Sequence, residues 1–311
     1  MILSADPLDD FLAGAGAGTE LGERLQTIGL VLSLPAIVVA LGLIAFLSFV
    51  HRQASSGERA MILRVVAVCG ILTLFGGLIE VAGTIVIGGG TWIEDLTAST
   101  RSSLIRLVAG ALMFAGFMGF KPLISETWCP SHRLTIGVFG IVVGALSFAT
   151  DGHTVSRGNA LINASLDVVH VLAAGVWVGG IVGLFVLTLL RRRGLETAPL
   201  APTIVRFSTV ATLSIVTVAA AGVGMSFLVV DTVGDYFTTS WGRLLLLKVA
   251  LVAVAAGLGA YNHFVVVPAL EVDPADDVMV SRARRTVSAE AGILLAVTLV
   301  TVFLTGASIN Q

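Results

Sequence analysis

LINASLDVVHVLAAGVWVGGIVGLFVLTLL, from Leu161 to Leu190, is followed at once by Arg191, Arg192 and Arg193. The run is about 30 residues long, and about 20 apolar residues span a bilayer as a helix. Within it stand Asn163, Asp167, His170 and Trp177, which the helical period gathers on one face. Gly175, Gly179 and Gly183, spaced by four, fall on the opposite face, a rail of small residues that lets helix backbones approach closely in lipid. One face is polar and the other is glycine, and neither suits lipid tails. The segment therefore reads as a helix inside a membrane bundle, holding a carboxylate and an imidazole one turn apart.

The rest of the chain agrees. Of 311 residues, 56% are hydrophobic and 12% charged, and the mean hydropathy is +0.98. A soluble domain carries about 25% charged residues. The fold class expected is all-α: a polytopic membrane helical bundle of about eight transmembrane helices, near 28–50, 65–88, 104–120, 134–150, 161–190, 207–230, 244–267 and 286–306. Pro35 falls inside the first of these, where a kink is tolerated. Residues 1–27 read as an acidic extracytoplasmic tail and lack the pattern of a cleaved signal peptide. Cys69 and Cys129 lie far apart and read as packing thiols. No basic cluster suggests nucleic acid, so the lipid bilayer is the partner that composition implies.

Arginine and lysine set the orientation. Arg52, Arg59, Arg64, Lys121, Arg133, Arg206, Arg282, Arg284 and Arg285 join the triplet at 191–193 in alternate loops. The positive-inside rule makes those loops cytoplasmic and places both termini outside, in a multi-pass protein of the cytoplasmic (plasma) membrane.

An internal repeat is visible. Arg64, Arg101 and Arg106 align without gaps with Arg206, Arg243 and Lys248, at one offset of about 142 residues. An even number of spans per repeat gives parallel halves related by an axis along the membrane normal. The chain thus divides into the tail, a first four-helix half over 28–150 and a second over 151–311. The first span has no counterpart of His170.

Depth narrows the candidates. His170 lies about nine residues, or ~13 Å, from the outer end of its span. Asp167 is one turn higher, Glu80 and Met225 lie at nearly the same level, and His153 sits just above in the loop DGHTVSRGN. Arg106 and Lys248 share the outer third. A charge at mid-membrane costs ~2.5–3.5 kcal/mol on insertion scales, so each carboxylate needs a partner, a wet cavity or an ion. Glu80 is either a ligand or the ion-pair partner of Arg106 or Lys248; Asp167 orients His170 or shares its ligand. His170 also reads as a satisfied core histidine, Trp177 and Met225 as packing, Glu290 as a first-turn acid of its helix, and His51 and His132 as solvated.

Imidazole, thioether and carboxylate oxygen suit copper, while neutral imidazole also suits zinc, nickel and haem iron. The close His/Cys spacing of zinc sites is missing. A b-type haem needs two facing axial ligands, and only His170 lies well inside a span, with His263 near the opposite rim. No nucleophile–base arrangement or nucleotide loop points to catalysis.

His153 in DGHT, Asp167-Val168-Val169-His170 and Trp177-Val178-Gly179-Gly180 resemble the GHA, DxxH and WxGG signatures of the copper resistance protein D (CopD) family. Arg206-Phe207-Ser208 resembles its RFS opening, and Trp241-Gly242-Arg243-Leu244-Leu245-Leu246-Leu247-Lys248 its YGRxLLxK segment. Asn262, Pro268 and Glu290 fit further family positions, over about residues 146–306. Trp241 replaces a tyrosine and His263 an arginine. The resemblance implies an eight-span inner-membrane protein that moves copper ions across the cytoplasmic membrane. By the resemblance, His153 and His170 would be the copper histidines, with Asp167 beside them; Glu80 or Met225, placed by depth, would supply a further ligand. The outer loops lack a Met/His-rich tract, so either delivery would need a soluble extracytoplasmic copper carrier or this member serves another role. A non-transporting partner subunit that holds copper for a membrane enzyme fits the same residues.

Overall fold

In a computed structural model, the structure describes residues 7–88, 98–118, 132–150, 160–192, 200–229, 232–274 and 276–306. These are helical with short turns, and no strand occurs among them. The helices are α1 (Pro7–Ala45), α2 (Ser56–Ile87), α3 (Ala98–Phe117), α4 (His132–Ser147), α5 (Ala160–Arg192), α6 (Leu200–Val229), α7 (Asp235–Thr238), α8 (Ser240–Tyr261), α9 (Val267–Val272) and α10 (Asp277–Gly306). A π turn, Phe46–Val50, extends α1, and a second, Asn262–Val266, joins α8 to α9.

Among the described residues, six helices are long and apolar enough to cross a membrane: Thr19–Val50, Ser56–Ile87, Leu161–Leu190, Leu200–Leu228, Ser240–Val272 and Asp277–Thr305. The other two of the expected eight are α3, whose first turns carry Arg101, Ser102, Ser103 and Arg106, and α4, which has 16 residues. Two boundaries differ from expectation. Residues 7–27 are helical and continuous with the first span, and Pro35 sits within the unbroken α1. The last helix begins at Asp277, so Glu290 lies near its middle and is not a first-turn acid.

Helix α1 packs on α2, α2 on α3, α3 on α4, and α4 returns to α1. Beyond them α5 packs on α6 and α10, α10 packs on α8, and α6 meets α8 only lightly. The two sets join where α1 crosses α5. Here the glycine rail explains the geometry. A Cβ on Gly42 would lie 2.6 Å from the Gly179 Cα, one on Gly175 2.6 Å from the Leu41 side chain, and one on Gly183 2.7 Å from the Phe46 ring. In lipid, association of helices rests on such close packing rather than on expulsion of water.

Local chemistry fixes the ends. Ser55 caps α2: its Oγ accepts from the Glu58 N–H at 3.2 Å, and Glu58 Oε2 accepts from the Ser55 N–H at 2.8 Å. The same Oε2 accepts from His51 Nε2 at 3.1 Å, and His51 Nδ1 meets Thr203 Oγ1 on α6 at 3.1 Å. His51 is therefore 4% exposed and stacked on Phe46, whereas sequence placed it in solvent. His132 is exposed as expected, and Cys69 is buried. Cys129 lies outside the described residues.

Candidate metal centre

The site is built on the N-terminal half of α5. A carbonyl can only accept, so the 3.2 Å approach of His170 Nδ1 to the Val218 carbonyl fixes the hydrogen on Nδ1. That assignment leaves the lone pair on Nε2, the atom that can ligate a metal. The ring lies over Gly222 of α6, where a Cβ would come 3.4 Å from its Cε1. Asp167 stands one turn before it. Lys248 of α8 brings its ammonium within electrostatic reach of both the carboxylate and the imidazole. The polar face of α5 thus meets a cation from α8 and a bare backbone position on α6.

Glu80 has a different setting. Its Oε1 accepts from Ser33 of α1 at 2.6 Å, and its Oε2 accepts from Ser103 of α3 at 3.2 Å. Arg106 donates to the same Oε2 from Nε at 2.9 Å and from Nη2 at 2.6 Å. Both oxygens are engaged, Glu80 is 2% exposed, and Arg106 lies 5.5 Å from the centre of the Phe148 ring. Of the two roles left open for Glu80, ion-pair partner of Arg106 is the one the geometry realises. The expected pooling of Glu80 with His170 and Asp167 is not seen: no group of three or more His, Cys, Asp or Glu side chains able to hold a metal occurs among the described residues.

Met225 is half-buried on α6, three residues beyond Gly222. His153 lies outside the described residues. Trp177, expected to pack, is 2% exposed and also donates its indole N–H to Glu290 Oε1 of α10 at 3.0 Å. That pairing was not legible in sequence, because it joins residues 113 apart. The only hint was that Glu290 is the sole charge after Arg285 in α10. Ser208 and His263 form a second unforeseen pair, 2.8 Å apart on α6 and the π turn after α8.

Residues 201–304 match the copper resistance protein D family. The matched segment holds Met225, Lys248, His263 and Glu290, and stops short of His153, Asp167 and His170. Among curated relatives, the inner membrane protein YebZ of Escherichia coli (strain K12) is 32% identical over 125 residues, covering 39% of this chain and 42% of that protein. The copper transport protein CutJ of Bacillus subtilis (strain 168) is 25% identical over 177 residues, covering 56% of this chain and 32% of that protein. The chain thus spans less than half the length of each. No solved structure matches it. With six helices able to cross a bilayer among the described residues, the chain is a multi-pass membrane protein.

Proposed function

We propose that this protein binds copper and moves it across the cytoplasmic membrane through an outward-facing site centred on His170. The observation that carries the reading is the Nδ1–H contact to the Val218 carbonyl, which presents Nε2 as a ligand from within the bundle. Asp167 supports it by offsetting the charge of Lys248 beside the ring. His153 serves as the first contact outside and Met225 as a soft further ligand. The copper resistance family match and the printed name of the Bacillus subtilis relative support copper as the cargo. In this reading the chain forms two parallel four-helix halves, 28–150 and 151–311, the basic loops face the cytoplasm, and both termini lie outside. A soluble extracytoplasmic carrier hands copper to the outer face.

The test is metal analysis of the purified protein. Wild type retains copper after desalting, and His170→Ala loses it while still inserting and folding. Copper retained in the double variant His153→Ala, His170→Ala would overturn the site. Copper flux into proteoliposomes then separates transport from holding: bound copper without flux makes the protein a copper-holding subunit.

A further inference from the structure

Glu290 is buried at the centre of the bundle, 1% exposed, with no ion-pair partner among the described residues. Its Oε1 accepts from Trp177, and its Oε2 has no hydrogen-bond partner. A carboxyl oxygen left so in a largely apolar interior needs a partner of some kind.

Beside it lies a cavity of about 210 Å³, walled by α5, α6, α8, α10 and the π turn that follows α8. The cavity has a cause in the sequence. At the repeat offset, Ala256, Gly259 and Ala260 of α8 stand where α3 carries Phe114, Phe117 and Met118. Phe117 is 2% exposed, filling its half of the bundle. A Cβ on Gly259 would come only 3.6 Å from Glu290 Oε1, so the open space begins at the carboxyl group itself. Ser208, Thr212, Asn262 and His263 supply the polar part of the wall. The volume accommodates several waters, each taking about 30 Å³ in the liquid.

The occupant follows from the chemistry. One carboxyl and one imidazole are too few ligands for a resident divalent metal. An anion would find no lysine or arginine on the wall. An apolar ligand would leave Oε2 as it is. A proton carried in on water gives Oε2 a bond. We propose that Glu290 is a proton-binding site in the middle of the membrane, loaded and unloaded through this cavity from the end of the bundle that bears the basic residues. Loading forms an O–H bond at Oε2 as hydronium gives up a proton and becomes water; unloading is the reverse.

The surroundings leave few competing groups. The walls from α5 and α6 carry no ionisable side chain, and those from α8 and its π turn carry only His263, whose Nδ1 is engaged with Ser208 Oγ. The stretch of α1 from Ile28 to Ala45, which passes α10, contains no ionisable residue. Glu271 of α9 is exposed, and Arg284 lies on α10 itself, about a third of a turn round the helix from Glu290. The proposal stands whether or not copper binds at His170.

Infrared difference spectroscopy of the full-length protein in lipid nanodiscs, stepped in pH, tests it. A carboxyl C=O stretching band should rise and fall with pH, shift in D₂O, and disappear in Glu290→Gln, which keeps an acceptor for Trp177. Filling the cavity with Gly259→Phe should keep the band and slow its shift in D₂O at least tenfold. Should Glu290→Gln not fold, Trp177→Phe gives the same information, because loss of the indole donor moves the band of Glu290 and no other. Absence of any titrating carboxyl band in wild type overturns the proposal, as does a band untouched by Glu290→Gln or by Trp177→Phe. A Gly259→Phe band that exchanges as fast as wild type overturns the route through the cavity.

Discussion

Arg106 of α3 holds the Glu80 carboxylate of α2 through Nε at 2.9 Å and Nη2 at 2.6 Å, both on Oε2. The repeat offset carries Arg106 onto Lys248 and Glu80 onto Gly222. The cation thus recurs at the offset, and the carboxylate within its electrostatic reach there is Asp167 on α5 rather than a residue of α6. Where Glu80 would have stood, the His170 ring lies against a glycine. A sealed ion pair at Arg106 thus corresponds, at the offset, to an imidazole whose Nε2 keeps its lone pair.

Glu80→Ala takes from the buried Arg106 guanidinium the carboxylate that accepts from its Nε and Nη2. Breaking a buried pair from one side costs about 3–5 kcal/mol. Thermal unfolding in detergent should show that loss, and Glu80→Ala with Arg106→Met should recover much of it. The copper content of folded Glu80→Gln should equal that of wild type. Loss of copper from a fully folded Glu80→Gln protein would restore Glu80 as a ligand.

Lys248 opposes a cation at His170. Like charges brought together inside the bundle repel, and Asp167 offsets part of this. Lys248→Met should therefore tighten copper binding by about tenfold, which is ~1.4 kcal/mol. Asp167→Asn should weaken it, because the lysine charge is then uncompensated. Competition titrations with a copper chelator check both, and equal affinities in all three proteins would remove electrostatics from the account.

Much of this arrangement was legible in the chain itself. The polar and glycine faces of α5, the basic end of the bundle and the recurring cations all follow from periods that sequence displays directly. The last helix differs from expectation because Arg282, Arg284 and Arg285 read as a loop, whereas α10 runs unbroken through them from Asp277. That shift of boundary hid the central position of Glu290. The His51 contacts were hidden for another reason: a histidine next to Arg52 looks solvated, and only the folding of α6 across it brings Thr203 near. Pairings between distant helices carry no local signature.

The His51 latch joins the turn after α1 to the start of α2 and to α6. In His51→Ala, Glu58 keeps the cap bonds from Ser55 but loses its side-chain donor, and Oε1 already has no partner. Removing one partner of a buried polar pair costs about 1–3 kcal/mol. Thr203→Ala removes only a neutral hydroxyl contact and should cost about 0.5–1.5 kcal/mol. Chemical denaturation of the two variants in micelles orders them; Thr203→Ala proving the more damaging would mean that the link to α6 outweighs the capped turn.

The crossing of α1 and α5 gives the sharpest contrast. At Gly42 a side chain would run into the Gly175 carbonyl and the Gly179 Cα, which are backbone atoms that cannot rotate aside. At Gly257 on α8 nothing lies within 4 Å of an added Cβ. Overpacking costs about 1–3 kcal/mol where side chains can adjust, and more where only backbone can move. Gly42→Leu should therefore abolish the folded bundle or separate the two helices. Gly257→Leu should be tolerated and even stabilise α8, since glycine is about 1 kcal/mol worse than the best helix formers. Yields of monodisperse protein and melting temperatures for the pair provide the measurement. A Gly42→Leu protein as stable as Gly257→Leu would mean that α1 and α5 do not meet along their glycines, and the joint between the two sets of helices would have to be drawn elsewhere.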